Sequence, residues 1–141
     1  MTLSFKTKNC HWIDVPGATD ARGQVNFLEM GKGLEFPPKR VFWLHHIAPN
    51  QWRARHGHRE GELVLIAAHG GCLVHLDDGK VKETVTLDDP ARALYVGPWV
   101  WHELNDFRPE STIMVIASCL YDEADYLRDY DTFKREVWQH A

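Results

Sequence analysis

The chain has 141 residues, of which 44% are hydrophobic and 26% charged, a balance that supports one folded domain and excludes a disordered polypeptide. Sixteen basic and 20 acidic residues leave a formal net charge of −4 with no lysine or arginine stripe, so neither nucleic acid nor an anionic membrane surface is an expected partner. No apolar run approaches the roughly 18 residues that cross a bilayer, and the opening residues lack the apolar stretch of a secretion signal. Cys10, Cys72 and Cys119 form no CxxC pair and no even framework, so a reducing cytoplasm is the expected setting.

In chain order, turn signals recur at short intervals: Pro16-Gly17, Gly31-Lys32-Gly33, Pro37-Pro38, Pro49-Asn50, Gly70-Gly71, Asp77-Asp78-Gly79, Asp89-Pro90 and Gly97-Pro98. Short apolar runs between them predict an all-β barrel or sandwich. Residues 40–47, rich in aromatic and branched side chains, predict one strand. The run Leu-Val-Leu-Ile-Ala-Ala at 63–68 is apolar on both parities and predicts a strand buried on both faces. Residues 72–76 and 81–87 predict a hairpin closed by Asp77-Asp78-Gly79-Lys80; in its second arm Val81, Glu83, Val85 and Leu87 share the side expected to face the core. Residues 94–96 and 113–117 predict two further strands. From 122 to 137 the pattern changes, and Leu127, Tyr130, Phe133 and Val137 recur at steps of three or four, which places them on one face of a short C-terminal helix. Asp125 and Arg128 read there as a surface pair. The whole of 1–141 reads as one domain. Its segment 1–19, with Trp12 and Ile13, is too short to fold alone and is expected to add a strand to a neighbour or to pack at a dimer interface.

The densest chemistry lies at 53–62, Arg-Ala-Arg-His-Gly-His-Arg-Glu-Gly-Glu. On a continuous strand His56, His58 and Glu62 share one face, which continues through Val64 and Ile66 toward a core or pocket. His102 follows Pro98 in Pro-Trp-Val-Trp-His. This spacing resembles the two sequence motifs of the cupin superfamily, HxHxxxE with a later glycine (His56, His58, Glu62, Gly70) and a proline followed by a histidine (Pro98, His102). The resemblance implies a small jelly-roll β-barrel with an internal pocket. In many cupins the two histidines, the glutamate and the later histidine bind one divalent metal, and such a donor set suits iron, manganese, nickel or zinc. In others the same positions do acid–base work without metal. Spacing leaves both chemistries open beside the plainer one of solvated histidines on a polar strand.

Longer blocks narrow the resemblance. Asp20-Ala21-Arg22-Gly23 with Glu29, Lys39-Arg40-Val41-Phe42, Leu76-Asp77-Asp78-Gly79, Leu94-Tyr95-Val96-Gly97-Pro98, Trp101-His102-Glu103 and the tail Asp125-Tyr126-Leu127-Arg128-Asp129-Tyr130 resemble, in order, the blocks of the sugar nucleotide 3,4-ketoisomerases. That family implies an isomerase that moves the ketone of a dTDP-linked 4-keto-6-deoxyhexose from C4 to C3, in deoxysugar and surface polysaccharide biosynthesis. It also implies a homodimer that needs no metal or other cofactor. By motif position His56 is the expected base at carbon and His58 the partner that moves protons at oxygen, an assignment that the motif leaves reversible; His102 is expected to line the same pocket.

Arg22, Arg40 and Arg53 are the expected binders of diphosphate or enediolate oxygens, the task a guanidinium fork suits. Each also fits a plain role, in a turn, in an ion pair with Glu29, or in a polar loop. Tyr95 and Trp101 either stack on the base and wall the pocket or belong to the core, and Glu62 either orients a histidine or arginine or binds metal. The chain departs from the family pattern at Ala54, where the RGxHAH loop carries glycine, at Leu63, where glutamine is usual, and at Phe42-Trp43, where tyrosines are common. A metal-dependent dioxygenase or hydrolase using His56, His58, Glu62 and His102, and a non-catalytic sugar-nucleotide binding module, remain as alternatives.

Overall fold

The computed structural model describes residues 5–140; the first four residues of the expected interface segment 1–19 lie outside that range. The described residues form strands β1 (Cys10–Asp14), β2 (Gly17–Asp20), β3 (Gly23–Asn26), β4 (Glu29–Met30), β5 (Gly33–Leu34), β6 (Arg40–Leu44), β7 (Arg53–His58), β8 (Leu63–His69), β9 (Cys72–Asp77), β10 (Lys82–Leu87), β11 (Arg92–Val96), β12 (Trp101–Asn105), β13 (Thr112–Ala117) and β14 (Tyr126–Leu127), followed by helix α1 (Tyr130–His140). Two five-stranded sheets, in the orders β1-β11-β8-β13-β6 and β10-β9-β12-β7-β14, face one another, and β2-β3 and β4-β5 make two small accessory sheets.

Alternation along the strands sorts the apolar side chains into three layers. Leu63, Leu65 and Ala67 of β8 meet Val74 and Leu76 of β9 and Leu104 of β12 between the sheets. Val64, the other parity of β8, faces outward and is covered by Ile13, Leu34 and Phe36, so the strand is buried on both sides as its composition predicts. On the outside of the second sheet Trp101 and Leu127 pack with Phe133 of α1. In β10 the more buried set is Glu83, Val85 and Leu87, the parity expected.

The tail differs from the expected helix over 122–137. Asp122 caps a short 3-10 turn, Glu123–Asp125, by accepting from the Ala124 amide, and the chain then runs extended through β14. Asp129 restarts helical structure: its carboxylate accepts from the amide and hydroxyl of Thr132 at 3.0 and 2.8 Å. Short acidic side chains that bond nearby backbone donors favour caps over helix interiors, which is why α1 begins only at Tyr130. Leu127, expected on the helical face, pairs as a strand residue with Gly57 while its side chain still reaches Phe133. Arg59 fastens the turn after β7 to this tail, donating to the carbonyls of Ala124 and Tyr126 at 2.8 and 3.2 Å and to Glu136. The strand expected over 40–47 ends at Leu44, and β7, whose first residues read as a polar loop, is a full strand.

Phe133 is fully buried and joins α1 to β14 and β12. Phe133→Ala is expected to lower unfolding free energy by about 3–5 kcal/mol, the usual cost of emptying such a site. Urea denaturation of both proteins measures it, and a loss below about 1 kcal/mol would show that the helix is not anchored there.

Candidate active site

Two ladders bring the site together. His102 of β12 stands opposite His56 of β7, and Tyr126 of β14 stands opposite His58. The His56 ring centroid lies 5.0 Å from that of His58 and 4.8 Å from that of His102. The Tyr126 ring lies 4.8 Å from His56 and 4.5 Å from His58. His58 and His102 are 4% and 2% exposed. A β-bulge aims this part of β7: the register steps from His102↔His56 to Glu103↔Ala54, leaving Arg55 as the extra residue, and its side chain donates to Glu103 at 2.9 Å. Ala54 and Arg55 sit at φ 68° and 64°, a left-handed pair that L-residues adopt at a cost. Bulges of this kind re-aim side chains beside functional sites.

His56 and His102 open on a cavity of about 140 Å³ with Leu63, Leu65, Leu104 and Val115 in its wall and Arg53 and Arg128 among its polar lining; His58 stands behind Tyr126, on a recess of about 10 Å³ shared with Arg40 and Asp125. The Arg128 guanidinium lies 4.4 Å over the Tyr126 ring, and an Arg40 nitrogen donates to the Tyr126 hydroxyl at 3.3 Å. Two buried atoms at this site, Arg40 Nε and His56 Nδ1, have no hydrogen-bond partner among the described residues. Buried polar atoms are rarely left so.

Burial sets the electrostatics. It holds His56 and His102 far below the ordinary imidazole value of 6.5, with the neighbouring histidines adding to the shift. Burial also lowers His58, opposed by the hydrogen bond and charge of Asp125, whose carboxylate lies 3.0 Å from His58 Nδ1. Charging an imidazole in a desolvated site is costly, so all three rings are held as neutral imidazoles at pH 7.

Of the residues expected from sequence, the structure brings His56, His58 and His102 together, with Arg53 in the cavity wall and Arg40 behind Tyr126. Four others do not join them. The Glu62 carboxylate accepts from the Tyr95 hydroxyl at 2.6 Å, and Tyr95 stacks on His11 at 4.5 Å, on the outer side of the first sheet. The reason is a broken count. Strand β7 ends at His58 and β8 begins at Leu63, so the alternation does not carry across, and the inward set is Leu63 and Leu65, not Val64 and Ile66. Trp101 has the opposite parity to His102 and packs outward, 5.3 Å from Tyr130 and 5.7 Å from Phe133. Arg22 is 91% exposed and paired with Asp20 of its own turn, so within the chain it stands apart from the histidines.

Asp125, Tyr126 and Arg128 were missed. Tyr126 and Arg128 are two apart, the same-face spacing of an extended segment, but the helical periodicity of the tail masks it. A ligand set of three histidines and Glu62 is not assembled: ring nitrogens of His56, His58 and His102 lie within 4.8 Å of one another, whereas Glu62 is bonded to Tyr95 on the far side of the sheet.

A two-sheet jelly roll with paired histidines turned inward from β7 and a third from β12 is the architecture of a cupin. The family described as "FdtA: WxcM-like, C-terminal" matches residues 8–138, and the chain belongs to that family. It is 44% identical over 118 residues to the TDP-4-oxo-6-deoxy-alpha-D-glucose-3,4-oxoisomerase of Aneurinibacillus thermoaerophilus, covering 84% of this chain and 85% of that protein. Among solved structures it is similar to a histidine-to-asparagine variant of the 3,4-ketoisomerase QdtA from Thermoanaerobacterium thermosaccharolyticum in complex with TDP-4-keto-6-deoxyglucose. That match has a TM-score of 0.91 and 30% identity, over 94% of this chain and 96% of that one. It is also similar to the TDP-quinovose 3,4-ketoisomerase WlaRB of Campylobacter jejuni, with a TM-score of 0.87 and 38% identity over 91% and 98% of the two chains.

Two measurements test this electrostatic and backbone account. The three imidazoles resist protonation in the fold but protonate near 6.5 when unfolded. The unfolded chain therefore binds more protons below that pH. Their contribution to stability is complete above about 6.5 and is lost progressively as pH falls below it; NMR titration of the ring signals reads the same neutrality directly, and ring pKa values at or above 6.5 would refute it. Ala54→Gly relieves the left-handed strain and is expected to stabilise by about 1 kcal/mol, read as a rise in the urea midpoint; a fall would show that the Ala54 methyl matters more than its φ.

Proposed function

We propose that this chain is a sugar nucleotide 3,4-ketoisomerase, moving the ketone of a dTDP-linked 4-keto-6-deoxyhexose from C4 to C3 by proton transfer alone. The observation that carries the reading is the cluster of three neutral imidazoles, two of them lining one small cavity with arginines beside it and the third packed against them, in a chain of this family. The ketone at C4 acidifies the hydrogen on C3. A neutral histidine removes that proton and an enediolate forms. The proton on the C3 oxygen moves to the C4 oxygen, and carbon C4 receives a proton, leaving a ketone at C3. Every step is a proton transfer at carbon or oxygen, the work for which a positioned imidazole typically supplies about a hundred- to ten-thousand-fold. His56 and His58 are the two groups assigned to it, with His102 completing the wall.

The cavity is smaller than the roughly 300–1,000 Å³ of sites that enclose a whole drug-sized ligand. It is sized for the hexose ring, with the diphosphate and nucleoside lying outside it. Arg53 and Arg128 are the cations placed to meet the anionic enediolate or the diphosphate, through charge-assisted hydrogen bonds. Arg40 acts through Tyr126, whose hydroxyl it holds.

The assembly we propose is a homodimer. Exposed apolar side chains support it: Val41 and Trp43 on edge strand β6 are 51% and 54% exposed, and Met30 is 65% exposed. Every residue of the β2 and β3 strands is also exposed. Large exposed apolar side chains of this kind mark an interface. β1 itself pairs with β11 within the chain, which leaves the segment from 17 to 30 as the part best placed to reach a second copy. In this reading the protein works in the cytoplasm, on a route to deoxysugars of surface polysaccharides.

Incubation with dTDP-4-keto-6-deoxyglucose in deuterated water is expected to yield the 3-keto sugar with deuterium at C4, identified by NMR, at a rate indifferent to chelator. His56→Ala and His58→Asn are each expected to cut turnover at least about a hundredfold with unchanged circular dichroism. Activity lost to chelator and restored by a divalent cation would turn the reading to the metal cupin, and binding without label would turn it to the binding module.

A further inference from the structure

We infer that Asp125 is a positioning residue for His58: its carboxylate fixes the imidazole in the Nδ1–H tautomer and leaves the Nε2 lone pair as the acceptor on the other side of the ring. An ionised carboxylate only accepts hydrogen bonds, and Oδ2 of Asp125 lies 3.0 Å from His58 Nδ1, so that nitrogen carries the hydrogen. The carboxylate cannot turn away. Its Oδ1 accepts from the Glu60 amide at 2.7 Å and its Oδ2 also accepts from the Gly61 amide at 3.2 Å. The backbone is tied as well, the Arg59 amide donating to the Asp125 carbonyl at 2.9 Å. Gly61 permits the approach, since a Cβ there would lie 2.8 Å from Asp125 Oδ2 and 3.3 Å from His58 Nδ1.

The three rings are not equivalent in this respect. His102 Nδ1 lies 3.3 Å from the Val100 carbonyl, a neutral acceptor, and His56 Nδ1 has no partner among the described residues. His58 alone of the three is backed by an anion, so a positive charge arising on it is compensated in place. A carboxylate that holds an imidazole in one tautomer and steadies its protonated form is a recurring device of acid–base sites. The tautomer follows from the geometry alone; its catalytic consequence rests on the isomerase reading above.

The test uses protein labelled with ¹⁵N in its imidazole rings, with and without Asp125→Asn. In the unsubstituted protein the His58 Nδ1 signal is expected in the protonated, pyrrole-like range and Nε2 in the pyridine-like range. An asparagine keeps one acceptor oxygen, which belongs at the former Oδ2 position where the His58 ring and the Gly61 amide both meet it, so the tautomer is held while the compensating charge is lost. Asp125→Asn is accordingly expected to leave the two signals in their ranges and to lower kcat about a hundredfold, with KM for the sugar nucleotide changed less than about threefold. A pyridine-like Nδ1 in the unsubstituted protein overturns the inference whether or not the variant folds. Unchanged kcat, a reversal of the two signals, or an effect confined to KM overturns it too. If the unsubstituted protein fails to isomerise the sugar, the proposed function falls while the tautomer result stands.

Discussion

Strand β7 would be the edge of its sheet but for the two residues of β14, whose Tyr126 and Leu127 pair with His58 and Gly57. An unpaired edge leaves backbone donors and acceptors to water or to other chains; here the edge is covered at Gly57 and His58, and the cover brings Tyr126 to the site. Period-two alternation sends Tyr126 inward against the histidines and Leu127 outward into the Phe133 cluster. The outward contact therefore holds the inward one in register. Gly57 takes part by lacking a side chain, since a Cβ there would stand 3.3 Å from the Phe133 ring. Arg59 clamps the same junction from the following turn.

Once β14 is in place, desolvation governs the chemistry. Burial holds all three imidazoles below their ordinary value, His56 and His102 furthest, because a charge taken out of water is costly. The site answers this unevenly, placing a carboxylate behind His58 while the Arg128 charge acts against both His56 and His58. A reaction in which protons are moved without net charge transfer to solvent suits such a setting, where every electrostatic contact is stronger than in water.

Much of this was legible in the sequence, and the failures have identifiable causes. His56 and His58 were found because a two-residue spacing survives any choice of where the strand begins. Glu62 was misplaced because residues 59–62 form a turn that resets the parity, and Trp101 because its parity depends on the register of β12, which no local pattern states. In the tail, Leu127, Tyr130, Phe133 and Val137 do make one apolar cluster; the helical period holds for the last three, in α1, and only Leu127 joins them from a strand. Asp125 looked like a solvated charge since its partner lies 67 positions away, beyond the reach of any window.

That separation has a kinetic meaning. Each contact at the cavity joins chain segments far apart: β7 with β12, β7 with β14, the turn after His58 with the tail. Contacts of such long range are expensive to close and form late, and barrels and sandwiches built on them fold in roughly milliseconds to seconds. No fragment of the barrel carries a partial version of the cleft. An incompletely folded chain is therefore expected to be inert, and not merely slower or less selective.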